Sequence, residues 1–288
     1  MPVRNVIIPV DFSERCQCAA RYAEALHRKF DCRLHVVHVL SPPHYEFGAM
    51  EVGGAVLEDL FRGRAEQARK DLDAFLDVEL PAGSTERVLL EGDPASKIVA
   101  YAHEKGADLI IMPTHGYGTF RRFILGSVTA KVLHDADCPV WTGVHLEVHS
   151  IEEVRFASVV AALDLGQQSE RTLMWAARFA EATGAKVKVV HATPNLEGRA
   201  GDYFDPNWQK ELESGVREEI AGLLTRVGVQ AEVRVGQGDA APTVCDMAKE
   251  LNADVLVIGR GSAAGVFGRL RANAYSIIRM SGSPVVSV

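Results

Sequence analysis

The chain has 288 residues, enough for two domains of ordinary size. It is 47% apolar, 24% charged and 7% aromatic, the composition of a folded globular protein, and its formal net charge of -7 argues against a general nucleic-acid binder held by phosphate neutralisation. No stretch approaches the roughly 20 consecutive apolar residues of a membrane span and no signal-peptide core opens the chain, so no membrane partner and a cytoplasmic location are expected.

The first element is an apolar β-branched run over 4–10, which predicts a strand ending at Asp11. A helical pattern covers 14–29, and a second strand over 33–40 carries His38 and Val39. The Pro- and Gly-bearing stretch Pro42–Gly54 reads as a loop beside the strand ends, followed by a helix over 55–78 and a strand over 86–91. In "GDPAS", Asp93 is a capping residue and Pro94 occupies the first position of a helix over 94–105. A strand over 107–112 leads into "MPTHGYGTFRRFILGSVTAKV", a loop with glycines and two arginines, then a helix over 127–135 and a strand over 139–144.

The remaining chain repeats this order. "VIIPVDFSE" matches "SVVAALDLG", aligning Asp11 with Asp164, and "CAARYAEAL" matches "WAARFAEAT". "HVVHVLSPP" answers "KVVHATPN", "EGDPASKIV" answers "QGDAAPTVC", "GADLIIMPTHG" answers "NADVLVIGRGS" and "DCPVWTGV" answers "GSPVVSV". A repeat near half the chain length is a duplicated domain and not a solenoid. Two domains, 1–146 and 153–288, are therefore expected, with second-copy strands over 156–163, 185–192, 229–235, 253–258 and 284–288.

Strands alternating with helices, and continuous apolar strands such as "DLIIM" and "DVLVI", predict a parallel sheet covered on both faces. The fold class is α/β: two tandem doubly wound, Rossmann-like domains, each with a five-stranded parallel sheet of order 3-2-1-4-5. In that order strands one and four are neighbours at the reversal of winding. Asp11, the loop from Pro113 and Thr114 through His115 and Gly116 to Arg121 and Arg122, and the helix start Gly126-Ser127-Val128-Thr129 then meet in one crevice. Glycines admit close backbone approach, a helix start offers unpaired N–H groups to an anion, and Arg121 or Arg122 adds a guanidinium. Asp11 suits ribose or amine donors. The division favours an ATP-like ligand. Singly, each residue has a plainer reading: Asp11, Ser127 and Thr129 as helix caps, and Arg121-Arg122 as a solvated loop.

Five cysteines at irregular spacing suggest neither a disulfide framework nor a zinc site, and no metal cluster emerges from the ten histidines. His38 and His191 occupy equivalent strands and read as hydrogen-bonded core residues. No P-loop and no Gly-x-Ser-x-Gly elbow is present, and His115 stands alone in its loop, so no catalytic residue is assigned and at most slow ATP hydrolysis is expected.

These segments resemble the universal stress protein family over the whole chain. The family signature is Gly-x-x-Gly, nine residues, then Gly-Ser or Gly-Thr; here Gly116 is followed by Tyr117–Leu125 and then Gly126-Ser127. The resemblance implies a stress-response protein that binds an adenine nucleotide. It would place Asp11 and Val39 at the adenosine part, Gly116 at the ribose-phosphate and Gly126 to Thr129 at the phosphates of ATP, with Mg as companion. It also implies pairing through the fifth strands, as an intrachain pseudo-dimer, with a homodimer as a further level. Pro113 departs from the signature, standing where its first glycine is expected and removing one N–H. The second copy departs further, with Ser262 for the second glycine and Ala272-Asn273 for Gly-Ser, and is expected to be degenerate. A nucleotide-independent interaction protein of the same fold is the alternative.

Overall fold

The computed structural model describes residues 3–42, 54–114, 125–143, 154–195, 206–260 and 272–288. It falls into two compact units, made up mainly of Pro2–Trp141 and of Arg155–Val288.

In the first unit the strands are β1 (Asn5–Pro9), β2 (Arg33–Leu40), β3 (Thr85–Glu91), β4 (Leu109–Pro113) and β5 (Val140–Gly143). They stand in the order β3-β2-β1-β4-β5. The pairing is parallel wherever the register is fixed, with Ile7 opposite Val36-preceding His35 on one side and Ile110 on the other. Val6, Ile7, Ile8, Leu109, Ile110 and Ile111 are wholly inaccessible, which accounts for their continuous apolar runs: helices cover both faces of the central strands.

Helix α1 (Glu14–Phe30) buries Cys16, Ala19, Ala20, Ala23 and Leu26, a single stripe at helical spacing. It ends at Asp31, whose left-handed φ of 52° lets its N–H return to the His27 carbonyl. Trp141, at the heart of β5, is fully buried and packs its ring 5.8 Å from that of Tyr22 on α1. It is a core residue, as its place among the strand valines suggests.

Helix α2 (Gly54–Ala74) stops short of the expected 78. The chain reverses at Leu76, with φ of 60°, and Leu72, Leu76 and Leu80 are all buried around that reversal. Burying leucines on both sides of the turn outweighs the local cost of a left-handed Leu.

Helix α3 (Pro94–Glu104) starts as its sequence predicts: Asp93 accepts the Ser96 N–H at 2.9 Å, with Pro94 in the first turn. The same carboxylate takes the Ser96 hydroxyl at 2.6 Å and Lys131 Nζ at 3.0 Å, the latter from helix α4 (Ser127–Asp135). The Ser96 hydroxyl and amide, and then Lys131, hold the Asp93 carboxyl down at about 2. A depressed carboxylate pKa adds stability above its unfolded value and loses it as pH falls through the folded one. Asp93→Asn should therefore be less stable than wild type at pH 5, with the gap closing between pH 4 and pH 2. Urea unfolding across that range measures it; the gap is small because the pair is half-exposed and screened.

The second unit repeats the plan with β6 (Ser158–Ala162), α5 (Ser169–Thr183), β7 (Lys186–Thr193), α6 (Pro206–Val227), β8 (Glu232–Gln237), α7 (Ala240–Glu250), β9 (Val255–Ile258), α8 (Ala272–Met280) and β10 (Val285–Ser287). Its order, β8-β7-β6-β9-β10, is the same winding. At the amino ends of the strands both units use one device. Asp108 accepts the Arg4 and Asn5 amides at 2.7 and 3.0 Å, and Asp254 accepts those of Ala157 and Ser158 at 2.7 and 2.8 Å. The helix cap differs. Asp239, the counterpart of Asp93, makes no side-chain cap bond, because Pro242 stands where Ser96 supplies the amide.

Among the described residues no helix is long and apolar enough to cross a membrane, and the five cysteines are free.

Candidate functional site

The carboxyl ends of β1, β2 and β4 and the start of α4 enclose a cavity of about 420 Å³ in the first unit. Of the twelve residues expected at a ligand, Asp11, Val39, Pro113, Gly126, Ser127, Val128 and Thr129 line it. Thr114 is buried at the end of β4 and is not among the lining residues. His115, Gly116, Arg121 and Arg122 lie outside the described residues, as does most of the loop Pro42–Gly54.

At one end, the chain leaves β1 through Asp11 and a left-handed Phe12, φ 64°. This turn brings the Ser13 N–H to Asp11 Oδ1 at 3.1 Å, and Cys16 Sγ donates to the same oxygen at 3.2 Å. Asp11 thus ties the amide two residues on, a local side-chain turn, instead of capping the first turn of α1. Burial pushes the Cys16 thiol up to about 12, so it is a neutral donor near pH 7 and not a nucleophile.

His38 also lines this end. Its Nδ1 lies 2.8 Å from the Val10 carbonyl, which only accepts, so Nδ1 carries the proton. The Phe12 ring sits 4.3 Å from the imidazole, centroid to centroid. The expectation of a hydrogen-bonded histidine holds, but it is half-buried and at the cavity wall. His191 repeats the bond to the Leu163 carbonyl at 2.7 Å.

At the other end, α4 begins at Gly126 without a side-chain cap. The Gly126 N–H donates to the Thr114 carbonyl at 2.8 Å, and the Gly126 carbonyl accepts the Ala130 N–H at 2.8 Å. The Gly126 amide is therefore taken, while those of Ser127, Val128 and Thr129 have no acceptor among the described residues. Three amides with no acceptor among the described residues, at the positive end of a helix, are suited to an anion. The Thr129 hydroxyl is not directed to one, because it donates to the Pro113 carbonyl at 3.1 Å in a buried position.

Sequence reading missed Pro9, Val10, Cys16, Val37, His38, Pro94, Ile98 and Met112 as wall residues. His38 adjoins Val39 on β2 and Pro94 opens α3 beside the capping Asp93, so adjacency to residues already singled out was the available signal. Cys16 gave none, since its stripe position marks it as core.

The second unit keeps the acidic end and changes the rest. Asp164 Oδ1 accepts the Gly166 N–H at 2.9 Å and the Ser169 hydroxyl at 3.0 Å, with Leu165 at φ 57°. A cavity of about 470 Å³ lies beside the starts of α7 and α8 and is lined by Asp239, Pro242, Asn273 and Ser276 among others. Asp239 is among its lining residues, whereas its counterpart Asp93, which caps α3, is not among the described residues lining the first cavity.

The model of the universal stress protein family matches residues 2–142 and 155–288, once for each unit. A universal stress protein of Mycolicibacterium smegmatis is 25% identical over 296 aligned positions, which cover 99% of this chain and 96% of the relative. One of Thermus aquaticus is 33% identical over 139 residues, 48% of this chain and 96% of its own. The crystal structure of a universal stress protein from Archaeoglobus fulgidus superimposes with a TM-score of 0.68 at 21% identity, covering 99% of this chain and 96% of the other, a likeness of fold.

Proposed function

Since the chain belongs to the universal stress protein family, we propose that it is an ATP-binding stress-response protein whose working site is the first-unit cavity. The observation that supports this reading is that the amides of Ser127, Val128 and Thr129, with no acceptor among the described residues, face a cavity whose far end bears Asp11. An adenine nucleotide fits that polarity: triphosphate at the helix start, nucleoside hydroxyls and amine toward Asp11 and Val39. His115, Gly116, Arg121 and Arg122 are proposed to complete the phosphate side.

Mg accompanies the nucleotide in this reading. Asp11 is the one carboxylate among the described wall residues, too few for a protein-built Mg cage, so the ion is held chiefly by phosphate oxygens. The described wall offers no activated nucleophile, with Cys16 held as a thiol, which fits a carrier better than an enzyme. The second domain, proposed to span 153–288 beside a first of 1–146, is a degenerate copy that serves as pairing partner and takes no triphosphate.

Protein purified from its host and then denatured should release ATP, ADP or AMP, and emptied protein should titrate with one ATP per chain. Neither nucleotide in the denatured extract nor a titratable site would defeat the proposal; two equivalent sites would defeat the degenerate second copy. A nucleotide-independent interaction protein is the second reading. It is favoured by Pro113, which lacks an N–H, and by the Gly126 amide already bonded to Thr114.

A further inference from the structure

The loop between β4 and α4 is closed at its base by two bonds. The Gly126 N–H donates to the Thr114 carbonyl at 2.8 Å, and the Thr129 hydroxyl donates to the Pro113 carbonyl at 3.1 Å. Thr129 is 4% exposed, so its hydroxyl has little water to fall back on, and a buried carbonyl and hydroxyl that lost each other would both be left short of a partner. A hydroxyl has one proton. Given to Pro113, it is not available to a phosphate.

Among the described residues, the second unit has no counterpart to the hydroxyl half of this clasp. Gly259 stands at the position of Pro113 and Tyr275 at that of Thr129, and the Tyr275 ring instead receives the Arg279 guanidinium at 5.7 Å. The hydroxyl-to-carbonyl bond is thus particular, among the described residues, to the first unit. It also gives Pro113 a use: the residue that cannot donate through its nitrogen contributes through its carbonyl, at a fixed φ.

We propose that Thr129 is a positioning residue. Its hydroxyl pins the first turn of α4 to the end of β4, so that the Ser127, Val128 and Thr129 amides are aligned on an anion before one arrives. This rests on the nucleotide reading above for the identity of the anion. Preorganised donors need no reordering on binding, and loosening the turn costs affinity without removing any group that touches the ligand.

Thr129→Val keeps the shape and removes the hydroxyl; Thr129→Ser keeps the hydroxyl. Calorimetric titration with ATP, inorganic tripolyphosphate and adenosine should show Thr129→Val weakening ATP and tripolyphosphate by about tenfold, the worth of one net hydrogen bond. Adenosine should stay within about twofold, and Thr129→Ser should recover wild-type values. Unchanged tripolyphosphate affinity in Thr129→Val, no rescue by Thr129→Ser, or an equal loss for adenosine would overturn the proposal. Hydrogen exchange on ligand-free protein separates it from the nucleotide reading. The amides of Ala130 to Leu133 should exchange faster in Thr129→Val and not in Thr129→Ser. If wild type binds no phosphate ligand yet this exchange pattern appears, the nucleotide reading falls and the clasp stands; if the pattern is absent, the clasp falls.

Discussion

Gly126→Asp is expected to abolish ATP binding while leaving the protein at least as stable as wild type. Gly126 has φ -59° and ψ 144°, an ordinary extended conformation that aspartate adopts without strain. As an N-cap, an aspartate accepts from the amides two or three residues on, here Val128 and Thr129, and contributes about 1 kcal/mol to helix stability. Those are the amides proposed to grip phosphate. The carboxylate would occupy them and repel the incoming anion, a like-charge juxtaposition that costs several kcal/mol, so affinity should fall on the order of 100-fold or more. Calorimetry and thermal unfolding on one sample give both readings. The paired control is Ala272→Asp at the equivalent helix start of the second unit, which should leave ATP affinity unchanged. A larger loss there than at Gly126 would mean the working site had been placed in the wrong half.

Ile110→Ala is expected to be the most damaging of the conservative core changes near the site. Ile110 is wholly buried in β4, pairs with Ile7 of β1, and donates its N–H to the Pro139 carbonyl at 3.0 Å. Removing three carbons from such a position costs the lost transfer energy plus an unfilled cavity, about 3–4 kcal/mol in a site hemmed by β-branched neighbours. The strands it joins carry Asp11 and Pro113 at their ends. Denaturant unfolding should show the midpoint shift, and Leu256→Ala, at the matching position of β9, should show one of similar size. A shift below about 1 kcal/mol would mean that the strand relaxes around the vacancy.

The architecture was readable because its causes are local or strictly periodic. Apolar runs at Val6–Ile8 and Leu109–Ile111, rich in β-branched residues, fix buried strands, "GDPAS" fixes a helix start, and the duplication counts each observation twice. What stayed hidden depends on contacts across the fold. Leu76 breaks α2 because of where its side chain is buried, which periodicity within the helix does not encode. The site was legible as a gathering of residue types and less so as a set of free atoms. Nothing in "GSVT" says that the Gly126 amide bonds Thr114, or that the Thr129 hydroxyl turns back to Pro113. Such assignments depend on tenths of an ångström between β4 and α4, below the resolution of any spacing rule.

The matching carboxylates Asp108 and Asp254 lie at the opposite end of the strands from Asp11 and Pro113, which line the first-unit cavity, and from Asp164. With the ligand site proposed above, scaffold upkeep and cargo handling are segregated along the strand axis. The second copy differs at this rim, with proline at the position of Ser96 and tyrosine at that of Thr129, while the strut at the other rim is kept. Such a division lets residues at one rim change while the strut at the other rim stays the same.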